Sequence, residues 1–392
     1  MATTKIIPEV LDLNEAASES GLKIPSGTEL NRPATDVSGM VRNNTNEASE
    51  GSASCEEYYN GAAWQKINNL AIPPPLAFKT LLYTGNGSTQ AITGLGFQPD
   101  FVWIKSRSNT YGNRLIDSST GVDKYLASNS DDAQQGAGGA GLTSFDSDGF
   151  SVGSGNAHNA NGATFVAWCW KANGGTTSAG SGTGGVSNVT NQVNSDAGFS
   201  ITKWNEGPSG TSTVTHGLSQ APDLVITKKL NAAQSWMVWH EALSGTQYLR
   251  LQETNAVATS SNFFTAVPDS TSVYLGGFQT ESTSNTRIMY AFHSVEGLSK
   301  FGSYTGTGSE QLITTGFAVN FVLIKASSTT QSWMIYDSVR SGTNYIEANS
   351  SAAEGTAGTN LVSFESNGFK VYSSNSENQN GQTYIYMAFL TA

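Results

Sequence analysis

The chain has 392 residues, of which only 13% are charged, and its net charge is −11. The low charge content, the 42 glycines and the short β-branched or aromatic runs favour many short strands joined by polar turns. The negative charge argues against partners that are held through their phosphates, so we expect no nucleic acid and no anionic membrane as a partner.

Residues 1–12 lack the apolar core of a signal peptide, and no stretch approaches the roughly 18 uninterrupted apolar residues of a membrane span. We therefore expect no signal peptide and no membrane insertion. The two cysteines, Cys55 and Cys169, fall in different predicted domains, and we interpret both as free thiols rather than as a disulfide or a metal site.

Residues 1–76 form the first predicted domain and contain no copy of the repeat that follows. Residues 14–20 are predicted to form a short helical turn. Residues 58–64 have Asn-Gly between aromatic residues, which predicts a hairpin with a type I′ turn. Residues 72–76 contain three consecutive prolines, which neither pair in a sheet nor continue a helix, so the domain ends in a semi-rigid spacer.

A degenerate repeat occurs three times after this spacer. Its opening motif lies at residues 97–105, 221–228 and 318–325, and its closing motif at 164–170, 286–292 and 383–389. The second and third copies are offset by 97 positions at both motifs, from Pro222 to Val319 and from Thr286 to Thr383. A fixed offset of this kind predicts a repeat architecture.

Within the first copy, the apolar patterns predict strands in chain order at residues 79–83, 91–95, 101–105, 113–117, 124–127 and 164–170. The continuous apolar run at 101–105 is typical of a strand that is buried on both faces. Residues 134–141 are predicted as a glycine-rich loop, and residues 144–152 as a hairpin with Asp-Gly at its tip.

The predicted fold class is all-β, with a short N-terminal module followed by three tandem jelly-roll-like β-sandwich domains. The predicted bounds are 77–173, 199–300 and 301–392, with a Gly/Ser/Thr-rich linker or exposed excursion at 174–198. Copies two and three abut without a linker and are expected to pack together or to be rigidly coupled. A β-propeller is the alternative, but each copy is longer than a blade of about 40–50 residues.

Two turn-rich motifs have a chemical interpretation as well as a structural one. Residues 84–89 superficially resemble a phosphate-binding loop, but no helix is predicted after them. Residues 146–149, Asp-Ser-Asp-Gly, look like the beginning of a calcium loop that lacks its later carboxylate. We interpret both as turns, and weak Ca²⁺ binding at the second stays open.

The histidines offer little evidence for a metal or catalytic site. No two of them have metal-ligand spacing, and they are His158, His216, His240 and His293. Asp117 aligns with Asp337 and with His240, and a position that changes type between copies is expected to be a strand-end polar group. A Ser–His–Asp triad stays open, because its members need only spatial proximity.

The aromatic residues have two interpretations. Trp236 and Trp333 align between copies and are expected in the core. Other aromatic residues lie in or near turn-rich stretches, where an exposed ring face suits stacking on a sugar. These candidate receptor or glycan contacts are Tyr111, Trp204, Trp239 and Tyr304.

Two segments resemble parts of bacteriophage tail-fibre proteins. Residues 32–33 (Arg-Pro), 39–45 (Gly-Met-Val-Arg-Asn-Asn-Thr) and 57–64 (Glu-Tyr-Tyr-Asn-Gly-Ala-Ala-Trp) resemble a short module of such fibres, with a departure at Asn43 and a longer turn at 48–54. Phe-Gln-Pro-Asp-Phe-Val-Trp-Ile-Lys at 97–105 and Ala-Trp-Cys-Trp-Lys-Ala at 167–172 resemble the jelly-roll, concanavalin-like β-sandwich domains of fibre-type virion proteins in marine phages and cyanophages.

The resemblance implies a homotrimeric virion protein, made in the host cytoplasm, that recognises a polysaccharide or protein on the host surface. It implies neither catalytic residues nor a cofactor. Its N-terminal module would bind other tail, baseplate or virion proteins through residues of the matching motifs, namely Arg32, Pro33, Arg42, Tyr58, Tyr59 and Trp64. Two alternatives remain, a virion structural protein without receptor function (a head fibre, decoration or tail accessory protein) and a polysaccharide-degrading tailspike.

Overall fold

The structure, a computed structural model, describes residues 26–27, 41–44, 55–59, 64–66 and 76–391 apart from 209, 280 and 373–375. The chain divides into two compact units, residues 1–73 and 74–392. The division falls within the proline-rich spacer at 72–76. The helical turn expected at residues 14–20 lies outside the described residues.

The first unit contains a four-stranded sheet in the order β1-β2-β3-β4. Its strands are β1 (Ser26–Gly27), β2 (Val41–Asn44), β3 (Cys55–Tyr59) and β4 (Trp64–Lys66). The predicted hairpin is confirmed, since β3 and β4 pair antiparallel with Tyr59 opposite Trp64. That register leaves four residues in the connection, instead of the two of a type I′ turn.

The second unit is built from strands, with one four-residue helix and one 3₁₀ turn among its described residues. Copy one contains β5 (Phe78–Thr84), β6 (Gln90–Thr93), β7 (Phe101–Ser106), β8 (Arg114–Asp117), β9 (Lys124–Tyr125), β10 (Gln135–Gly136), β11 (Leu142–Asp146), β12 (Gly149–Val152), α1 (Asn156–Asn159) and β13 (Thr164–Trp170).

The segment 174–198 contains β14 (Ser178–Ala179) and β15 (Ser187–Asn194), and copy two contains β16 (Phe199–Asn205), β17 (Ser212–Thr215), β18 (Leu224–Lys229), β19 (Met237–His240), β20 (Gln247–Tyr248), β21 (Ala258–Thr259), β22 (Ser272–Leu275), the 3₁₀ turn (Gly277–Gln279) and β23 (Thr286–Phe292). Copy three contains β24 (Ser299–Thr305), β25 (Gln311–Thr314), β26 (Phe321–Ala326), β27 (Met334–Asp337), β28 (Asn344–Glu347), β29 (Gly355–Thr356), β30 (Val362–Glu365), β31 (Gly368–Val371) and β32 (Thr383–Phe389).

Each copy is organised around one large antiparallel sheet. The strand order is β5-β13-β7-β8 in copy one, and the same order recurs as β16-β23-β18-β19 and β24-β32-β26-β27. A smaller sheet, β11-β12-β6 in copy one and β25-β31-β30 in copy three, supplies the second layer. The predicted all-β sandwich class is therefore confirmed.

The strand β7 shows how a large sheet is buried on both faces. Phe101 and Trp103 belong to one hydrophobic core, whereas Val102 and Ile104 belong to another. Successive side chains of a strand point to opposite faces, so an uninterrupted apolar run suits a sheet with a core on each side. All residues of β7 are buried, as the sequence pattern predicts.

The segment 174–198, expected as a linker or an exposed excursion, contains two strands, of which β15 adds to the large sheet of copy two by pairing with β16. Gln192 of β15 is fully buried. Its side-chain amide donates to the hydroxyls of Ser118 (2.9 Å) and Ser119 (2.8 Å) in copy one. Hydrogen bonds thus order a segment whose apolar content is low.

The three copies share a hydrophobic core. Trp170, Phe292 and Phe389 occupy the same position in the last strand of each copy, and their ring centroids lie 6.3, 5.9 and 6.2 Å apart in pairs. This aromatic triangle joins all three copies at one point. The copies are therefore packed around a common centre within one compact unit.

Equivalent backbone hydrogen bonds join the copies in a closed cycle. In each bond, a backbone amide of one copy donates to a backbone carbonyl of the next. The Gln134 amide donates to the Leu230 carbonyl (2.7 Å), the Val257 amide to the Ser327 carbonyl (2.8 Å), and the Glu354 amide to the Arg107 carbonyl (2.8 Å). The contact is thus heterologous, and it closes after three steps as in a cyclic trimer. The unit has pseudo-threefold symmetry within a single chain, whereas the sequence suggested tandem copies of which only the second and third were expected to pack together.

One position of the small sheet requires glycine. A Cβ on Gly149 would collide with the carbonyl oxygen of Ile92, and one on Gly368 with that of Ile313. Both glycines begin a strand at a close crossing over the neighbouring strand of the small sheet. The position recurs in copies one and three because the fold needs it.

Candidate functional site

The aromatic residues expected to contact sugar lie mostly in the core. Trp204 and Trp239 are at most 2% exposed, and Tyr304 is 8% exposed. Trp239 Nε1 donates to the carbonyl of Ser244, so its polar edge is also engaged. Rings buried in this way present no face to a ligand, which leaves Tyr111, half-buried, as the one of the four with an accessible surface.

Four of the residues expected to attach the chain to the virion lie on described strands. Arg42 is in β2, Tyr58 and Tyr59 are in β3, and Trp64 is in β4. The remaining two, at positions 32 and 33, lie outside the described residues. The structure thus places these four on adjacent strands of one sheet.

The aligned position 117/240/337 has a structural role between copies. Asp117 accepts a hydrogen bond from the Tyr290 hydroxyl of copy two at 2.9 Å. Asp337 accepts one from Trp168 Nε1 of copy one, also at 2.9 Å. Tyr290 and Trp168 are equivalent residues of β23 and β13, so the two carboxylates perform the same task at two junctions.

The third junction explains the change to His240. The residue of copy three that corresponds to Tyr290 and Trp168 is Met387, which has no hydrogen to donate. His240 Nε2 instead donates to the backbone carbonyl of Tyr386 at 3.3 Å, and its Nδ1 accepts from the Ala242 amide at 3.1 Å. Burial lowers the pKa of His240 to about 4, which keeps the ring neutral. Both ring nitrogens are therefore used by the backbone.

The other histidines make local contacts. His216 Nε2 donates to the Asp269 carbonyl at 3.1 Å, and the Gln220 amide lies 2.6 Å from His293 Nδ1. His158 packs edge-on against Tyr125. Among the residues that the structure describes, no group of three His, Cys, Asp or Glu side chains is placed to hold a metal ion. Cys169 is a free, buried thiol.

The two turn motifs are held by their own fold. Residues 84–89 join β5 to β6, and the Asn159 side-chain oxygen accepts the Asn86 amide at 2.8 Å. Asn378 does the same for Thr307 in copy three, also at 2.8 Å. These buried asparagines occupy a backbone donor that a phosphate would need, and their alignment between copies is a signal that the sequence analysis missed.

The carboxylates of the calcium-like motif are committed to the turn. Asp148 accepts the amides of Gly94 (3.1 Å) and Gly96 (2.6 Å), and these hydrogen bonds lower its pKa. Asp146 accepts the Ser151 hydroxyl at 2.7 Å. Through Asp148, the motif therefore connects the hairpin of the small sheet to the turn after β6.

Each copy buries one lysine at the same strand position, Lys105, Lys228 and Lys325. Their ammonium groups donate to backbone carbonyls, and two reach the preceding copy, Lys228 at Asp131 and Lys325 at Thr254, each at 3.1 Å. Burial lowers their pKa values, to about 8 for Lys105 and Lys325 and about 7 for Lys228. Lys228 and Lys325 thus join adjacent copies through backbone carbonyls, whereas Lys105 bonds within its own copy, to the carbonyls of Ser106 and Asn109.

Because the pKa values of the buried lysines are lowered, we expect the free energy of unfolding to increase from pH 7 to pH 9. The unfolded lysines, with pKa values near 10.4, bind more protons than the folded ones in this range, so the free energy of unfolding rises with pH. We expect a gain of about 2 kcal/mol or more, measured by urea unfolding at both pH values.

The variant Lys228→Met should flatten this pH dependence, because it removes the group with the lowest pKa. Lys171→Met is the matched control, since Lys171 is exposed and its loss should leave the slope unchanged. A stability that is constant or falls between pH 7 and pH 9 would contradict the prediction.

A cleft of about 330 Å³ lies at the junction of copies one and two. It is lined by Thr120, Lys124 and Gln134 of copy one and by Lys203, Leu230, Asn231 and Thr286 of copy two. Lys124 is exposed, and Lys203 is half-buried with one hydrogen bond to the Ser119 carbonyl at 3.2 Å. Within the described part of the chain, neither lysine forms an ion pair.

The same place at the junction of copies three and one is occupied by an ion network. Arg340 stands at the position of Thr120, Arg107 at that of Leu230, and Glu354 at that of Gln134. Glu354 binds Arg107 at 2.9 Å and Arg340 at 3.0 Å. At the junction of copies three and one, Glu354 pairs with the two arginines. At the junction of copies one and two, the two lysines of the cleft have no carboxylate partner within the described residues.

Residues 74–392 match DUF7483, described as a domain of unknown function. No curated protein matches the chain. No helix in the described part of the chain is long and apolar enough to span a membrane.

Proposed function

The chain belongs to the DUF7483 family, and we propose that it is a phage tail-fibre protein that recognises a host surface. In this proposal the N-terminal module attaches to tail or other virion proteins, and the three sandwich copies carry the receptor surface. The observation that carries the proposal is the presence of two fibre-type patterns in one chain, at 32–64 and in the repeats.

Binding is proposed in preference to catalysis. The aligned polar position 117/240/337 supports this choice, since its three side chains are used as junctions between copies. The open, polar cleft at the junction of copies one and two is a feature that suits a ligand.

A weak individual site is sufficient for such a role. Several fibres on one particle raise the effective concentration at the second contact, so millimolar sites combine into firm attachment. The proposed homotrimer would add to this effect. Light scattering of the purified full chain should then give three times the chain mass, and a monomer would remove that part of the proposal.

The proposal is tested by localisation and competition. Antibodies against residues 74–392 should label the tail in electron micrographs of the particles, and an excess of the purified chain should reduce adsorption of the phage to its host. Labelling of the head would favour a decoration protein, and release of sugar fragments from host envelope would favour a tailspike. Labelled tails with unchanged adsorption would exclude the receptor role.

Deletion of copy three is a poor test of the receptor role. Phe321 and Phe389 of that copy belong to the shared core, so removal of residues 301–392 would expose the inner faces of copies one and two. Point substitutions at the surface are therefore preferable.

A further inference from the structure

We propose that the cleft between copies one and two binds a sugar that carries a carboxylate, that is, a hexuronate unit of an acidic polysaccharide. The inference deepens the proposed host-surface recognition and rests on it.

The charge of the cleft is the first argument. The chain has a net charge of −11, yet this cleft is lined by two lysines and no acidic side chain. Lys203 uses one of its three ammonium protons on the Ser119 carbonyl, and the ammonium group of Lys124 makes no hydrogen bond within the described residues. Both ammonium groups therefore have donors available for an anionic ligand.

Comparison of the three junctions is the second argument. Where copy three meets copy one, the arginines at the equivalent place, Arg107 and Arg340, are both paired with Glu354. Where copy two meets copy three, the residues equivalent to Lys124 and Lys203 are Gln247 and Ser303, which carry no charge. The junction of copies one and two thus has cations at a place where the fold does not require them.

The size and polarity of the cleft favour a sugar. Its volume of about 330 Å³ lies within the usual range for small-ligand sites, about 300–1,000 Å³. The side chains of Gln134 and Thr286 line it and make no hydrogen bond within the described residues, so they can pair with sugar hydroxyls. A lone phosphate would leave these groups and much of the volume unused.

The test is calorimetric titration of the full chain with a galacturonate trisaccharide, compared with the neutral galactose trisaccharide and with inorganic phosphate. We expect binding of the galacturonate in the millimolar range or tighter, and at least tenfold weaker binding of the neutral sugar. Equal binding of both sugars, or no binding of galacturonate, would overturn the proposal. Binding of phosphate as tight as that of galacturonate would also overturn it, in favour of a simple anion site.

Two variants locate the site. Lys124→Gln introduces the residue of copy two at an exposed position, and Lys203→Ser introduces that of copy three. Each should weaken galacturonate binding at least tenfold, while Lys171→Gln, which removes an exposed lysine outside this cleft, should not. Unchanged thermal melting of Lys124→Gln shows that the fold is intact, and unchanged binding by that variant would exclude this cleft.

The result is separable from the proposed function. If competition for adsorption succeeds but galacturonate does not bind, the acidic-sugar inference fails and the receptor role stands. If galacturonate binds but adsorption is unaffected, the cleft is a sugar site without a role in attachment.

Discussion

Replacement of Trp170 by alanine is expected to lower the free energy of unfolding of the second unit by about 4 kcal/mol. Trp170 is 2% exposed and packs on rings from all three copies. Its ring centroid lies 5.2 Å from Phe101, 6.3 Å from Phe292 and 5.9 Å from Phe389. The cavity left by the substitution is lined by all three copies, so movement of one copy cannot fill it. The loss of unfolding free energy should therefore be as large as is usual for alanine substitutions of buried aromatic residues.

Urea unfolding followed by circular dichroism measures the effect. Leu312→Ala is the control, since Leu312 is 46% exposed and its truncation should cost less than about 1 kcal/mol. The shared core also predicts that the three copies unfold in one transition. A loss below 1 kcal/mol for Trp170→Ala, or three separate transitions in the parent protein, would contradict the shared core.

The strand pattern of a copy was largely predictable from local sequence. The predicted strand at 164–170 matches β13, and that at 101–105 is β7 without its last residue. Both are short, continuous apolar runs with aromatic and β-branched residues, and their length and composition favour a strand buried on two faces over a helix. Shorter elements were less certain, since the strand expected at 124–127 is only Lys124–Tyr125.

The closed arrangement of the copies was not predictable in the same way. It depends on long-range contacts such as the triangle of Trp170, Phe292 and Phe389, and a repeat offset does not state how the copies meet. The burial of two candidate sugar-contact residues was unpredictable for the same reason, because it too depends on long-range packing. Trp204 and Trp239 follow or precede polar turns in sequence, but tertiary packing buries them.

Alignment of the copies carried more information than the sequence analysis extracted. The change from Asp117 and Asp337 to His240 accompanies the change from Tyr290 and Trp168 to Met387, because acceptor and donor must match at each junction. A paired change between two repeat positions indicates contact between copies. That signal was present in the sequence, although only a structure identifies which positions are partners.

The ion network at the junction of copies three and one gives the second large prediction. Glu354→Gln is expected to cost about 3 kcal/mol, because it removes the carboxylate that the buried Arg340 shares with the partly exposed Arg107. Asp337 remains bound to Arg340 at 2.6 Å, but it does not contact Arg107. The matched control is Glu253→Gln, whose partner Arg250 is about one-third exposed, and which should cost less than about 1 kcal/mol.

The pH dependence distinguishes loss of this charge from a packing defect. Burial would raise the pKa of Glu354, but the hydrogen bonds and charges of Arg107 and Arg340 outweigh it and hold that pKa below its usual value. A carboxyl with a lowered pKa stabilises the fold above its unfolded pKa, and this stability is lost as the pH falls through the folded value. Urea unfolding should therefore show the gap between the parent and Glu354→Gln narrowing below pH 4, whereas a gap that stays constant would assign the loss to packing.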